Sequence, residues 1–87
     1  MKARLSVADQ KEFDRFLAQI GERLKARRAE LGLRQEDLDL APCPMDVRKY
    51  QRIEYGQMNF TMQSLYVLSK NLKLAPEKLL TGLLEPS

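Results

Sequence analysis

The chain has 87 residues, with 15 Lys and Arg against 12 Asp and Glu, giving a net charge of +3 and a pI near 9.2. That length is one small domain with no room for a second, regulatory one, and 44% hydrophobic with 31% charged residues suits a soluble globular fold rather than disorder. Histidine and Trp are absent and Cys43 has no partner, which excludes a disulfide framework, a structural zinc site, a histidine-dependent triad and an aromatic platform for single-stranded nucleic acid.

The hydrophobic pattern is helical throughout, and no run alternates with the period of a strand. Ser6 is placed to cap a first helix, with Asp9 three residues on. Phe13, Phe16, Leu17, Ile20, Leu24 and Leu31 then recur at helical steps, predicting one long amphipathic helix that closes at Gly32. Gly21 inside it marks a point for a bend. A second helix is predicted from Gln35 to about Leu40 with Leu38 inward, stopped by Pro42 and Pro44. Asp46 caps a third, Val47 to about Tyr55, that ends at Gly56, and Met45 and Tyr50 form a hydrophobic staple across its start. Thr61 caps a fourth, whose Met62, Leu65, Leu68 and Leu72 make an apolar stripe, and Pro76 opens a fifth through Glu77, Lys78, Leu79 and Leu80. The expected fold is therefore all-α, a compact five-helix bundle forming a single domain.

No signal-peptide core follows Met1, because Asp9, Lys11, Glu12 and Asp14 intervene. The longest uncharged stretch, Tyr55 to Ser69, carries Gly, Gln, Asn, Thr and Ser and falls short of the ~18 apolar residues of a membrane span. Cys43, between two prolines, reads as a small hydrophobe in a tight turn rather than a redox sensor. A cytoplasmic protein without metal or cofactor is expected.

The third helix carries the chemistry. Stepping about 100° per residue, Tyr50, Ile53 and Asp46 share the arc that faces the core. Arg48 and Arg52 lie opposite, one turn apart, flanked by Lys49, Gln51 and Tyr55. Any exposed helix carries Lys and Arg outward, but this one follows a short helix and a turn, the arrangement of a helix-turn-helix over residues 35–55. Arg, Gln and Val are also the side chains that reach guanine, adenine and the thymine methyl in a major groove.

From Ile20 to Leu80 the sequence resembles the Cro/C1-type (xenobiotic-response-element type) helix-turn-helix domain of bacterial and phage repressors, the lambda-repressor-like DNA-binding fold. The resemblance lies in Ile20-Gly21-Glu22-Arg23-Leu24-Lys25-Ala26-Arg27-Arg28, in Leu31-Gly32-Leu33-Arg34-Gln35-Glu36-Asp37-Leu38, and in Ile53-Glu54-Tyr55-Gly56. Asn59, Thr61, Leu65, Leu72 and Leu79-Leu80 also fall where the family keeps its loop Asn, helix cap and core leucines. It implies base-reading positions at Val47, Arg48 and Arg52. Gln35, Lys49, Gln51, Tyr55, Gln57 and Asn59 would be flanking or phosphate contacts, and Arg28 with Glu54 a structural ion pair. The chain departs from the pattern at Asp39, where the family has Ala, at Arg34 in place of a Ser or Thr cap, and at the glycine-free turn Leu40-Ala41-Pro42-Cys43-Pro44.

Charge alone does not argue for DNA. Residues 1–30 carry eight basic and five acidic side chains, and residues 31–60 carry four and five. One subunit would bind weakly, so specific binding calls for a homodimer on half-sites about 34–36 Å apart. Leu79, Leu80, Leu83 and Leu84 offer a dimer surface, or alternatively fold back onto Phe13 and Phe16. The expected function is a double-stranded DNA-binding transcriptional regulator, a repressor acting by occupancy. The alternative is an antitoxin-like or other protein-interaction module on the same fold, meeting a toxin through a surface such as the extension at residues 1–12, while RNA polymerase is a candidate protein partner of the regulator. A membrane-surface role for the basic first helix is opposed by Glu22 and Glu30. No nucleophile constellation or phosphate loop suggests an enzyme.

Overall fold

The computed structural model describes residues 4–40 and 42–84. Met1 to Ala3 of the expected extension, Ala41 of the turn, and residues 85–87 of the leucine-containing C-terminal tail expected over 81–87 lie outside the described residues. Helix α1 runs from Val7 to Glu30, the Ser6 hydroxyl accepting the Asp9 backbone N–H at 3.1 Å. Leu31 caps its end, and Gly32 follows at φ 69°. The extension over residues 7–12 is thus the start of α1. The helix passes Gly21 without a break, and the glycine there makes room for a contact. A Cβ there would stand 2.1 Å from the Glu54 carbonyl oxygen. A few residues on, Gly56 at φ 71° lies so close to Ala18 that its Cβ would be 2.8 Å from the Ala18 Cα.

The second expected helix is corrected to a 3-10 helix, Gln35–Asp39. Arg34 offers no capping oxygen. Instead the Asp37 carboxylate accepts the Arg34 backbone N–H at 2.7 Å and closes a tight turn, and that bond holds Asp37 below the usual carboxylate range. Leu38 is fully buried. The described residues therefore form four α-helices and one 3-10 segment rather than five α-helices, and no strand. Helix α2 spans Val47–Glu54, its cap Asp46 accepting the Lys49 N–H at 3.4 Å. Asp46 is exposed rather than core-facing, because a cap residue lies outside the helical wheel. Helix α3 spans Met62–Asn71 and α4 spans Pro76–Leu80. Met62 leaves the expected stripe, 79% exposed at the first position of α3, beyond the end of the core.

The core gathers Ile20 and Leu24 of α1, Leu38, Met45, Tyr50 and Ile53 of α2, Leu65, Leu68 and Leu72 near α3, and Leu79 of α4. Three arginines of α1 stitch its outer flank to later elements. Arg27 donates to the carbonyls of Leu72 (2.9 Å) and Lys73 (3.0 Å), closing the C-terminal end of α3, and Arg23 donates to Lys78 O at 3.1 Å. Arg28 turns toward α2.

The glycine-free turn has its own fastening. Asn71, 5% exposed, accepts the Cys43 N–H at 3.0 Å and donates to the Cys43 carbonyl at 2.7 Å. One side chain thus replaces the two partners this backbone would otherwise lack. Asn71→Ala is expected to cost about 2 kcal/mol by leaving both groups unpaired, read as a lower urea midpoint. An unchanged midpoint would show that the prolines hold the turn unaided.

Candidate nucleic-acid interface

Helix α2 has two opposed faces. Tyr50 and Ile53 are buried, while Arg48 and Arg52 are exposed. Among the described residues no ion pair involves Arg48, Lys49 or Arg52. The apolar contacts at Tyr50 and Ile53 therefore anchor the helix, and the two arginines face outward.

The C-terminal end of α2 is fixed by a buried polar cluster. Arg28 donates from Nε to Glu54 Oε2 at 3.0 Å, from Nη2 to Glu54 Oε1 at 2.9 Å, and from Nη1 to the Leu33 carbonyl at 2.9 Å. The Glu54 side chain is 1% exposed. Burial alone would raise its pKa, but the hydrogen bonds from Arg28 and Gln35 together with the Arg28 charge outweigh that and hold it below its usual value. The same pairing pushes Arg28 up. The Tyr50 hydroxyl is buried beside this pair with no hydrogen-bond partner, and burial together with the Glu54 charge raises its pKa strongly.

Gln35 sits between this pair and the outer face. Its Nε2 donates to Glu54 Oε1 at 3.0 Å and to the Tyr55 hydroxyl at 3.4 Å, and its Oε1 accepts from Gln51 Nε2 at 3.0 Å. Arg28, Gln35, Gln51, Glu54 and Tyr55 are therefore brought together. Val47 and Lys49 are half-buried on α2, and Gln57 and Asn59 are exposed in the loop that follows. The Gln57 N–H donates to Arg52 O at 2.8 Å, so that loop folds back against the end of α2.

The leucine-rich tail divides. Leu79 is 0% exposed, so its assignment to a dimer surface is corrected: it fills the core between α3 and α4. Leu83 packs half-buried against that core, whereas Leu80 and Leu84 are exposed. Leu84 joins Leu5, Phe13 and Phe16 around an apolar crevice at the start of α1, where the two rings stack with centroids 6.4 Å apart.

Four residues that shape the site escaped sequence reasoning as participants: Gly21, Arg23, Arg27 and Asn71. Gly21 had a signal, since a glycine between Ile20 and Leu24 lies on the buried stripe where a partner backbone can approach. Arg23 and Arg27 had none, because a tertiary carbonyl leaves no mark in sequence. Among the described residues no cluster of three or more His, Cys, Asp or Glu is arranged to hold a metal, and no helix is long and apolar enough to cross a membrane.

No family model and no curated protein matches the chain. Among solved structures it is similar to the restriction-modification controller protein C.AhdI from Aeromonas hydrophila, with 30% identity and a TM-score of 0.66 over 72% of this chain and 94% of that one. With that identity and coverage, the chain, in which a short helix and a turn precede the outward-facing α2, belongs to the helix-turn-helix family of DNA-binding proteins.

Proposed function

We propose that the chain is a sequence-specific double-stranded DNA-binding transcriptional regulator, acting as a repressor by occupancy. It reads the major groove with α2, as a homodimer on a two-fold symmetric site. The observation that carries this is the pair Arg48 and Arg52: exposed, one turn apart, outside every ion pair of the described residues, and on a helix whose other face is buried. Arg is the side chain that meets guanine bidentately. Val47 completes the base-reading set, and Lys49, Gln51, Tyr55, Gln57 and Asn59 flank it. Gln35, whose amide is engaged inside the protein, supports α2 in this reading rather than serving first as a phosphate contact. The similarity to a controller protein supports a regulatory role.

Dimerisation in this reading uses the exposed Leu80 and Leu84 with Phe13 and Phe16. The same crevice favours the second reading, an interaction module that takes another protein there. Selection from random duplex DNA tests the first. An enriched two-fold symmetric site is expected, with Arg48→Ala and Arg52→Ala each weakening binding about tenfold or more. Absence of any enriched sequence, or both variants binding as wild type does, overturns it.

A further inference from the structure

The first turns of α1 carry a groove that the fold leaves open. Phe13 and Phe16 stack along one side of the helix, and Leu84 of the tail lines the same crevice while 61% exposed. The crevice runs on past Phe16 and Leu84 to Arg15 and Gln19, so the groove follows α1 from Leu5 to Gln19. Its rim is charged in order along the helix, with Asp9 and Glu12 before Arg15. All three are exposed, and among the described residues none of them makes an ion pair. Asp9 suits the positive end of a helix wherever it stands. Glu12 and Arg15, one turn apart on either side of the stacked rings, have no such explanation.

We infer that a second copy of the chain fills this groove, its α1 running antiparallel to the first across a two-fold axis between Phe13 and Asp14. A two-fold contact uses one surface twice, so the surface must complement itself. The order of charges does so in one direction. Antiparallel, Glu12 of each copy comes opposite Arg15 of the other, and two reciprocal ion pairs flank the aromatic rings. Parallel, Glu12 would meet Glu12 and Arg15 would meet Arg15. A wholly basic partner would be opposed by Arg15, and a wholly acidic one by Glu12. Phe13, Phe16 and Leu84 of both copies supply the apolar centre that such a charged rim surrounds. This deepens the two-fold assembly of the proposed reading by giving it a contact and a register. No groove residue belongs to α2, so the contact leaves Arg48 and Arg52 facing outward.

Sedimentation equilibrium on the full chain without DNA tests the contact, and wild type is expected to dimerise. Glu12→Arg sets arginine opposite arginine at both sites, and Arg15→Glu sets glutamate opposite glutamate. Each is expected to weaken dimerisation about tenfold or more. The double variant, Glu12→Arg with Arg15→Glu, exchanges the two charges and should return dimerisation to near the wild-type value. An equimolar mixture of the two single variants should form a heterodimer that neither forms alone. Leu84→Asp, which places a charge in the apolar centre, should leave a folded monomer. Glu12, Arg15 and Leu84 are exposed, so circular dichroism should show all variants folded. A wild-type chain that stays monomeric, single variants that dimerise as wild type does, or a double variant that stays weak overturns the inference. The measurement contains no DNA, so its failure is distinct from failure of the DNA reading. A two-fold symmetric enriched site from a chain whose charge variants still dimerise would keep that reading and reject the groove contact.

Discussion

Gly21→Ala is expected to destabilise the fold by about 3 kcal/mol or more, the upper range for inserting a methyl into a packed interface. For a domain of this size that is a fall in melting temperature of at least ~10 °C. The added Cβ would stand 2.1 Å from the Glu54 carbonyl oxygen, 2.8 Å from its carbon and 3.1 Å from Ile53 O. All three are backbone atoms at the end of α2, so no side chain can swing aside. Alanine improves helix propensity by about 1 kcal/mol, which opposes the clash but is too small to reverse it. The helices would have to separate, moving α2 away from Arg28 as well. A variant as stable as wild type would mean that α1 and α2 lie farther apart than described.

Arg28→Ala is expected to cost about 3–5 kcal/mol at neutral pH, because it leaves the Glu54 charge buried and unpaired. The side-chain exposures decide this: 17% for Arg28 and 1% for Glu54, far from the solvated pairs that contribute little. The pH dependence should change sign. In wild type the Glu54 pKa is depressed below its usual 4.5, so its contribution is full above that value and fades as pH falls through the folded pKa. Without Arg28, burial dominates and raises the pKa, so the variant regains stability as protonation neutralises Glu54. The stability gap between the two proteins should therefore narrow as pH falls from about 7 to about 5. Urea unfolding at several pH values measures it, and a constant gap would show that Glu54 stays hydrated without its partner.

Local signals in the sequence were reliable where the physics is local. Ser6, Asp46, Thr61 and Pro76 each begin the helix that their chemistry selects, and the heptad-like spacing of Ile20, Leu24, Leu65, Leu68 and Leu72 marks the core. What periodicity misses is anything set by a distant backbone. Gly21 is small because α2 passes over it, Asn71 is polar because a turn 28 positions earlier has no other partner, and Leu79 is core because α4 folds back. The 3-10 segment escaped because Leu38 satisfies either helix type and the Asp37 contact to the Arg34 N–H can open either. On α2, the outward placing of Arg48 and Arg52 was readable from Tyr50 and Ile53. The inward tie of Gln51 was not, since it needs Gln35, 16 residues earlier, to be beside it.

The arginine stitching of α1 also bears on how the chain is made. The tertiary partners of Arg28, Arg27 and Arg23 at Glu54, Leu72 and Lys78 lie 26, 45 and 55 residues downstream. At roughly 5–20 residues added per second, Arg23 is therefore polymerised about 3 to 11 seconds before Lys78. Through that interval the core around Ile20 and Leu24 lacks its last member, Leu79. These three contacts therefore form only after the later elements that carry their accepting oxygens have been made.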